Sequence, residues 1–466
     1  MPLRSNLFCT VQDTDATLDN FLSTNSWINK KRSIDQWKNW ANKGASSKAV
    51  VNHPDLFTID GRNGPLTYEV ELYQGCVRFK RGCKFCIEPK KGIPIWREEQ
   101  DIIDEVNLAI ENGVQNIRLG GATDVYTYKA EGVLDLEYPI PNPEPISDLL
   151  FGLRENENLQ ILHVDNGNPS IIAENLGPST EITKAMIDTL SDGAVLSFGL
   201  ESADPLVHSN NWLNCDPKQL ISAISHINDY GRERGLRGLP KLLPGLNFIA
   251  GLNGETASSY QMNLKLLQDI RNKGLLLRRI NIRQVEGQGF QDIPEKIFKE
   301  FKETVRNTID KPLLEELFPY GAIIRDVWWE SHNNRIRDPK QVVNLEHRDI
   351  SVYGKSGITF GRQIGAYPIL TGIPYLLPLE TKSDVVITGH GMRSISAVEI
   401  GLDINNVTQN QLSAIPGLGV KGAWKIISKR AIKLSKNNEK ITSVSEAFTS
   451  AGVNMPELAD RILVVK

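Results

Sequence analysis

The chain has 466 residues, of which 40% are hydrophobic and 23% are charged, and its formal net charge is −3 at pH 7. This length suits two or three domains, and the composition excludes a fibrous, collagen-like or wholly disordered chain. No apolar run reaches the ~18 residues of a membrane span, and the start, MPLRSNLFCTVQDTD, lacks the apolar core of a signal peptide. We therefore expect a cytoplasmic protein without a membrane partner.

The first 60 residues are polar and predict an N-terminal extension that caps the domain after it. Within this extension, WINKKRSIDQWKNWANKG at 27–44 favours an amphipathic helix with Trp27, Ile34 and Trp37 on one side.

From residue 67 onward, strand patterns take turns with helical patterns. The helices have clear ends, because Asp216-Pro217 supplies an N-cap and a first-turn proline, and Thr256 begins a helix that Gly274 ends. Six strand-then-helix units predict a parallel sheet, since parallel strands need crossover helices, and six units suit a partial barrel. Ligands are then expected at the carboxyl ends of the strands. The predicted strands are 67–73, 116–121, 159–166, 194–202, 246–252 and 280–285.

One connection, 122–158, interrupts this alternation and is rich in proline, tyrosine and acidic residues. A loop of this length in a compact domain indicates either a lid or binding insertion, or a disordered excursion. His163 and Asp165, which come next at the end of the third strand, either face the pocket or, for His163, belong to the core.

The remaining chain predicts three parts. A charged helical connector covers 301–345 and contains the pair Trp328-Trp329. Closely spaced short strands with Gly and Pro turns then predict a small antiparallel barrel in 346–402. The last part, 403–466, is helical, and 408–431 predicts helix, Pro-Gly-x-Gly turn, helix. Its expected packed face consists of Leu412, Ile415, Val420, Trp424 and Ile427.

The five cysteines are the sharpest feature of the sequence. Three of them, Cys76, Cys83 and Cys86, lie within eleven residues, and a sparse odd count argues against a disulfide scaffold. Three thiolates are one fewer than a closed zinc site or an ordinary iron–sulfur cluster requires. The trio therefore indicates either a zinc site with a remote fourth ligand, such as Cys9, Cys215 or a histidine, or a four-iron cluster with one open iron.

The segment ELYQGCVRFKRGCKFCIEP resembles the cluster motif of the radical S-adenosylmethionine (SAM) superfamily. The usual spacing in that superfamily is Cys-x3-Cys-x2-Cys, whereas the first gap here has six residues. The two-residue second gap matches the motif of the superfamily, and so do Phe85 within that gap and the location of the motif after a first strand. Further motifs, NIRLGGATD, SFGLESAD and NFIAGLNGET, resemble the glycine pair, the ribose motif and the adenine-side strand of the same superfamily. The SAM-binding residues that this resemblance implies are Gly120, Gly121, Ser197, Glu201, Ile249 and Gly251, with Glu255 beside them.

The resemblance implies a partial (β/α)6 radical SAM barrel over 61–300, in which Cys76, Cys83 and Cys86 hold a [4Fe–4S] cluster. It also implies that SAM binds the open iron and that one electron, supplied to the cluster by an external donor, cleaves the sulfonium of SAM to methionine and a 5′-deoxyadenosyl radical, which takes a hydrogen atom from the substrate. The whole chain resembles, more narrowly, an uncharacterised archaeal-type family of radical SAM proteins with a C-terminal helix-hairpin-helix motif, through HVDNGNP, LLLRRINIRQV and GRQIGAYPIL.

The tail, 403–466, predicts a nucleic-acid partner. Its turn glycines Gly417 and Gly419 precede Lys421 and Lys425 and resemble the helix-hairpin-helix, which grips the nucleic-acid backbone. Nine Lys/Arg against five Asp/Glu give this tail a net charge of +4. The barrel in 346–402 resembles the RNA-binding barrel of radical SAM methylthiotransferases, which favours RNA over DNA. A helical protein-interaction module is the alternative.

Three functional hypotheses follow. The first is a radical SAM enzyme that modifies a structured RNA, the second is the same chemistry on a protein or metabolite, and the third is a zinc-stabilised nucleic-acid-binding protein. Methylthio transfer is disfavoured because only Cys9 and Cys215 could serve a second cluster. Cobalamin dependence is also disfavoured, because the first 60 residues are too few for a cobalamin-binding domain. The sequence does not predict the modified atom or the oligomeric state.

Overall fold

The computed structural model describes residues 14–28, 30, 33–47, 67–287, 289–332 and 357–466. Its contacts divide the chain into two compact units. Among the described residues, the first unit consists of those up to residue 233 and of 240–310. The second unit consists of 234–239 and of the described residues from 311 onward. Cys9 lies outside the described residues.

The first unit contains the six predicted parallel strands in sequential order. One sheet has the order β1-β4-β5 and a second has the order β6-β7-β8-β9, and every neighbouring pair is parallel. Only Asp165 separates β5 from β6. Its N–H donates to the Leu119 carbonyl (3.2 Å), and its carbonyl accepts from the Ser197 N–H (2.8 Å), which connects the two sheets. The strands are β1 Thr67–Glu71, β4 Asn116–Gly120, β5 Ile161–Val164, β6 Asn166–Gly167, β7 Ala194–Glu201, β8 Leu242–Ala250 and β9 Arg279–Gln284, and a short antiparallel pair is β2 Tyr73–Gln74 with β3 Ile95–Trp96.

Helices connect these strands, as a parallel sheet requires. The predicted helix ends are confirmed: Asp216 caps a helix with a full capping box, and Thr256 caps another that ends just before Gly274. The helices of this unit are α1 Thr14–Thr24, α2 Ile34–Ser46, α3 Glu99–Glu111, α4 Pro143–Arg154, α5 Pro169–Glu174, α6 Leu176–Thr189, α7 Pro205–Asn211, α8 Pro217–Gly231, α9 Ala257–Asn272 and α10 Glu295–Val305. A π-helical turn, Arg306–Asp310, follows α10.

The prediction of a loop throughout 122–158 is wrong in its second half. Helix α4 forms the crossover between β4 and β5, and it buries an apolar stripe. Its prolines do not break it, because both lie in the first turn, where no intrahelical N–H bond is lost. The stripe consists of Ile146, Leu149, Leu150 and Leu153.

The predicted N-terminal helix at 27–44 is also shorter than expected. Ser33 begins α2 with a reciprocal cap, in which the Gln36 N–H donates to Ser33 Oγ (3.2 Å) and the Ser33 N–H donates to Gln36 Oε1 (2.9 Å). Trp27 therefore precedes the helix and stacks on Phe21, with ring centroids 3.9 Å apart. The side chains of Ile34 and Trp37 lie outside the described residues.

The second unit contains a closed five-stranded barrel of order β10-β11-β12-β14-β13, which confirms the small barrel. Its pairs are antiparallel except β12 with β14, which is parallel, with Leu370 opposite Ser394. The prediction of an all-antiparallel barrel is wrong in that pair. The strands are β10 Ile323–His332, β11 Thr359–Gln363, β12 Leu370–Ile373, β13 Lys382–His390 and β14 Ser394–Glu399, and helix α11 is Lys311–Leu317.

The prediction of a helical connector over 301–345 is wrong for Ile323–His332, which is strand β10. This segment carries the tryptophan pair, and Trp329 is 1% exposed, with its Nε1–H donating to Ser383 Oγ at 2.9 Å. The strand forms because Val327 and Trp329, two residues apart, both face the barrel interior.

The tail after the barrel is mainly helical, as predicted. Thr408 caps α12 with a capping box. The predicted packed face is only partly correct: Leu412 and Ile415 are buried, but Val420 and Trp424 are 65% and 60% exposed. The elements are β15 Leu402–Asp403, α12 Gln409–Ser413, α13 Gly419–Asn437, α14 Val444–Ala451, α15 Ala459–Ile462 and β16 Leu463–Val464, and β15 pairs in parallel with β16.

Across the described parts of both units, none of the helices is both long and apolar enough to cross a bilayer.

Candidate active site

A cavity of about 440 Å³ lies at the carboxyl ends of the first unit's parallel strands. This is the edge at which ligands bind in such sheets. Its wall combines the cysteine loop after β2, the turn after β4, the segment that begins with β6, and the end of β7. The three clustered cysteines, Cys76, Cys83 and Cys86, all lie on this wall.

The cysteine loop is closed at its base by short-range pairing. Gln74 pairs with Ile95, and the Cys76 N–H donates to the Gly92 carbonyl at 3.1 Å. Gly75 permits this closure, because its φ is +93° and a Cβ there would lie 2.7 Å from the Gly92 oxygen. Inside the loop, the Cys86 N–H donates to the Cys83 carbonyl at 3.0 Å, which is the tight turn that the two-residue spacing predicts.

The three thiols share one desolvated environment. Burial raises the pKa of Cys83 to about 11, and it also raises the pKa of Cys76 and Cys86. The negative charge of a neighbouring cysteine or glutamate side chain raises the pKa of each of the three thiols further. For Cys76, hydrogen bonds from the Arg78 backbone and the Thr123 side chain oppose this increase.

Trp212, the C-cap of α7, supports the cysteine loop from outside. The Lys84 N–H donates to the Asn211 carbonyl at 3.1 Å, and the charges of Arg81 and Lys84 lie 5.4 and 4.8 Å from a Trp212 ring centroid. Arg78 donates from Nη1 to the Trp212 carbonyl (3.0 Å) and to Cys83 Sγ (3.3 Å). The cationic loop is thus fixed to a helix end rather than projecting freely.

The predicted glycine pair ends β4, and its two members have different surroundings. Gly121 lies on the cavity wall with φ +67°, and a Cβ there would approach Glu71 Cγ to 2.9 Å. Gly120 is buried behind the wall, where a Cβ would lie 2.4 Å from Glu69 Oε1. Gly121 therefore exposes backbone to the cavity, and Gly120 leaves room for the Glu69 side chain.

Ser197 and Glu201 face the cysteines from β7. Glu201 ends the strand at a bulge, and its φ of +69° is unusual for a residue with a side chain. Burial raises the pKa of Glu201 to about 8, opposed by the nearby Arg283. Its Oε2 is a buried atom without a hydrogen-bond partner among the described residues. An unpartnered polar atom on a cavity wall is where a ligand group would bind.

Four asparagine carboxamides also line the polar wall, beside Arg78, Glu88 and Thr123, and the sequence analysis did not single them out. Asn168 Oδ1 accepts from Asn214 Nδ2 at 2.6 Å, and Asn247 Oδ1 accepts from Asn281 Nδ2 at 2.9 Å. Asn166 Nδ2 donates to the Ala122 carbonyl at 3.2 Å. Asn166 and Asn168 lie at the carboxyl end of the predicted third strand, and that position was the signal that could have found them; Asn247, near the start of the predicted strand 246–252, gave no such signal.

Behind this wall, a buried network holds the turn after β4. The Tyr73 hydroxyl lies 3.0 Å from Thr123 Oγ1 and donates to the Asp124 carbonyl at 2.7 Å. Asp124 Oδ1 accepts from the backbone N–H groups of Tyr126 (3.0 Å) and Asn168 (2.8 Å). Of the wall residues, Asn168 is therefore positioned by the buried Asp124 carboxyl, and Thr123 by the Tyr73 hydroxyl.

Several residues singled out in the sequence lie away from the cavity wall. Among the described residues, the wall does not include Ile249 and Gly251, and Glu255 instead accepts from the Gly251 N–H at 2.7 Å. Of the pair after the third strand, Asp165 forms an ion pair with Arg118. His163 is buried, and burial lowers its pKa to about 4, which makes it a neutral core histidine.

The donor set fits an iron–sulfur cluster that takes three protein ligands. Three thiols line one cavity, and Gly121, Ser197 and Glu201 leave backbone, hydroxyl and carboxyl groups on the facing wall for a further ligand. Cys215 is buried and donates from Sγ to the Asp216 carbonyl at 3.2 Å. Within the described ranges, no group of three or more His, Cys, Asp or Glu side chains is placed to hold a single metal ion.

Comparison with known proteins gives relatives over most of the chain. An uncharacterised protein of Methanocaldococcus jannaschii is 35% identical over 401 residues, which cover 82% of this chain and 68% of that protein. An uncharacterised protein of Archaeoglobus fulgidus is 36% identical over 392 residues, 81% of this chain and 66% of that protein. The chain belongs to this archaeal family, within the radical SAM superfamily. It spans about two thirds of the length of these two relatives.

A more distant relative has a named activity. The tRNA-2-methylthio-N(6)-dimethylallyladenosine synthase of Geobacter sulfurreducens is 26% identical over 223 residues, 47% of this chain and 43% of that protein. No family model matches the chain.

Solved structures that match this radical SAM protein have low similarity. Coproporphyrinogen III oxidase from Escherichia coli, a radical SAM enzyme, has a TM-score of 0.33 at 16% identity and covers 64% of this chain and 67% of its own. The FeFe-hydrogenase maturase of Carboxydothermus hydrogenoformans has a TM-score of 0.35 at 13% identity, with 64% and 63% covered. Enzymes of the superfamily bind a [4Fe–4S] cluster and SAM.

Proposed function

We propose that the cavity at the strand ends is the active site of this radical SAM enzyme and that its substrate is a nucleic acid, RNA rather than DNA. The observation that carries the first part is the convergence of Cys76, Cys83 and Cys86 on one cavity wall opposite Gly121 and Glu201. The three thiolates would hold the cluster.

The bound cluster supplies one-electron reduction of SAM, so that a hydrogen atom can be taken from the substrate. The chain's own residues bind and orient. Gly121 allows a ligand to approach the backbone closely, since no side chain intervenes. Ser197 and Glu201 offer a hydroxyl and a carboxyl to the SAM ribose, and the unpartnered Glu201 Oε2 accepts from a hydroxyl when the carboxyl is ionised.

The location of the site also protects the chemistry. The cysteine loop and the turn after β4 enclose the cavity on the side of the sulfur ligands, and Tyr73 and Asp124 fill the space behind it. Asn166, Asn168 and Asn247 line the same cavity with neutral amides, which donate and accept hydrogen bonds without adding charge. Among the described wall residues outside the cysteines, Arg78, Glu88 and Glu201 are the ionisable ones, and a ligand that fills the cavity would exclude bulk water from a reactive intermediate.

The nucleic-acid part of the proposal rests on charge, fold and relatives. Seven Lys/Arg and one Asp/Glu lie in 76–97; without Arg97, which is buried and paired with Asp101 and Glu105, the segment keeps a net charge of +5. This charge would attract an anionic substrate to the cavity. A relative that covers 47% of the chain is named for a tRNA modification. The closed barrel of β10–β14 supports the same substrate class through its resemblance to an RNA-binding barrel.

The tail adds a candidate phosphate contact. Gly417 and Gly419 have φ values of +86° and +63°, in the left-handed region that favours glycine, and they form the turn between α12 and α13. Lys421 and Lys425 are exposed in the first two turns of α13. We propose that this segment of two helices and a glycine turn acts as a helix-hairpin-helix that contacts the phosphate backbone of the substrate, with a salt-dependent affinity.

Two matched cysteine variants test the cluster. After anaerobic reconstitution with iron and sulfide, Cys83→Ala should lose the brown colour and the reductive cleavage of SAM to 5′-deoxyadenosine. Cys215→Ala should retain both, because Cys215 lies away from the cavity wall. Equal behaviour of the two variants would contradict the proposed ligand set.

The substrate class is tested in cells. Nucleosides from total RNA of strains with and without the gene are compared by mass spectrometry. A modified nucleoside that depends on the gene and disappears in the Cys83→Ala strain supports the proposal. An unchanged RNA profile from a strain whose enzyme cleaves SAM would point to a protein or metabolite substrate.

A further inference from the structure

An exposed face of helix α13, here called the indole face, consists of Val420, Trp424 and the lysines beside them. Val420 is 65% exposed and Trp424 is 60% exposed, although both are large and apolar. Another side of the same helix packs inward through Ala423 and Ile426, which are fully buried. The indole is thus presented outward by a helix that is fixed on its other side.

The charge around this face has one sign. Helix α13 contains six Lys/Arg and no Asp/Glu. Arg430 and Lys433 serve the fold, since Arg430 donates to the Ile404 and Val407 carbonyls and Lys433 pairs with Glu446. Lys421, Lys425 and Lys429 are exposed, and within the described residues no carboxylate forms an ion pair with them. These three lysines complement a polyanion.

We propose that the indole face binds an unpaired stretch of the nucleic-acid substrate, with a base stacked on Trp424 and phosphates beside Lys421 and Lys425. This inference rests on the proposed nucleic-acid substrate and narrows it to single-stranded regions. A duplex keeps its base faces stacked inside, so it offers phosphates to the lysines but no base to the indole. An aromatic side chain beside cations is the combination that binds unpaired strands.

The experiment compares Trp424→Ala with Tyr320→Ala in the full-length chain. Tyr320 is an exposed aromatic of the same unit (48%) and outside the indole face, so it serves as the matched control. The probes are a fluorescein-labelled 20-nucleotide single-stranded RNA and the duplex of the same sequence. Trp424→Ala should weaken single-strand binding by about 5- to 150-fold and leave duplex binding unchanged. Trp424→Phe should retain most of the affinity, and Tyr320→Ala all of it.

The outcomes separate this inference from the proposed function. Wild-type chain that binds neither probe would overturn the nucleic-acid substrate itself. Wild-type binding that Trp424→Ala leaves unchanged, or weakens equally for both probes, would overturn only the stacking on Trp424. Lys425→Gln provides a second measurement. Because it removes one phosphate contact, it should reduce the salt dependence of binding and weaken the affinity for both probes to the same extent.

A second inference concerns Arg78, which lies in the widened gap between the first two cysteines. Its backbone N–H donates to Cys76 Sγ at 3.4 Å, and its Nη1 donates to Cys83 Sγ at 3.3 Å. The same Nη1 donates to the Trp212 carbonyl at 3.0 Å, which fixes the guanidinium against the end of α7. One residue thus contacts two of the three sulfurs.

We infer that Arg78 is a positioning residue that raises the reduction potential of the proposed cluster. A hydrogen bond from a cation to a ligand sulfur withdraws negative charge from the cluster, and this favours the reduced state, which carries one more electron. The electron itself comes from the external donor of the proposed reaction. This inference depends on cluster binding, as the proposed function does.

Arg78→Gln and Arg81→Gln form a matched pair, because both arginines lie in the same loop beside Trp212, but only Arg78 is bonded to a sulfur. Both reconstituted variants are titrated with reductant and followed by electron paramagnetic resonance. The midpoint potential should become more negative in Arg78→Gln and stay unchanged in Arg81→Gln, at equal iron content. Equal potentials would overturn the inference.

Arg78→Lys covers the case in which Arg78→Gln takes up no cluster. Lysine keeps the positive charge but lacks the planar guanidinium with its several N–H donors, so the midpoint potential of this variant should lie below that of the wild type. An unchanged midpoint potential would overturn the inference. Wild-type protein that takes up no iron would instead contradict the proposed function.

Discussion

Replacing Asp124 by asparagine should make the protein more stable, and increasingly so as the pH rises towards neutrality. Asp124 is 2% exposed, and its Oδ1 already has two N–H donors, from Tyr126 and Asn168. Its Oδ2 is buried without a hydrogen-bond partner among the described residues. Burial therefore raises the pKa of this carboxyl from 3.8 to about 7, because the effect of burial on the pKa is larger than the opposing effect of its hydrogen bonds.

The magnitude follows from the two pKa values. One pKa unit corresponds to about 1.4 kcal/mol, so a shift from 3.8 to about 7 corresponds to roughly 4 kcal/mol. Because the folded pKa is the higher one, the contribution of this carboxyl to wild-type stability is complete below pH ~4, is lost as the pH rises, and changes no further above pH ~7. Asparagine keeps an acceptor at Oδ1 and never ionises, so D124N avoids this loss.

The assay is urea unfolding of D124N and wild type at pH 5, 6, 7 and 8. The difference in free energy of unfolding, variant minus wild type, should grow by about 2 kcal/mol between pH 5 and pH 7 and then level off. Asp148→Asn is the control, since Asp148 is exposed on α4 and its replacement should give no such pH dependence. A D124N difference that is constant or falls with pH would refute the reasoning.

Three further predictions concern the cavity and the barrel. Gly121→Ala forces a side chain into a left-handed conformation and towards Glu71, so the SAM dissociation constant from calorimetry should rise about tenfold while iron content is unchanged. Burial raises the pKa of Glu201 to about 8, so wild-type affinity for SAM should increase between pH 7 and pH 9, and Glu201→Gln should remove that increase. Trp329→Ala removes a fully buried side chain and should cost about 3–5 kcal/mol of stability, visible as a lower melting temperature.

The parallel sheet could be predicted from sequence because its signals are local and agree with one another. Asp216-Pro217 and Thr256 are caps whose chemistry requires a helix to begin there, and both do begin one. The cysteine trio was equally local, since a two-residue gap allows only a tight turn between Cys83 and Cys86. Gly121, Ser197 and Glu201 lie on one wall because carboxyl ends of neighbouring parallel strands meet at one edge.

Where prediction failed, two structures were compatible with the same residues. Pro143 and Pro145 indicate a turn as readily as the first turn of a helix, and only the buried stripe of α4 decides between them. In β10, Asp326 takes a φ of +57°, and the pairing with β13 shifts between Ile324 and Val327. This bulge breaks the alternation of apolar residues that identifies a strand, so the tryptophan pair indicated no strand.

Helix α13 shows why its packed face could not be chosen from sequence. It carries two apolar stripes, one with Val420 and Trp424 and one with Ala423 and Ile426, and hydrophobicity alone favours the larger one. The structure buries the smaller stripe, and Gly422 lies on the same side of the helix: a Cβ there would lie 2.6 Å from Leu418 Cδ1, at the N-cap of this helix, and 3.5 Å from Val453 Cγ1. The bulkier stripe, with Val420 and Trp424, is the one that stays exposed. An exposed tryptophan on such a helix makes no contribution to the core, and its indole is left available to bind a partner.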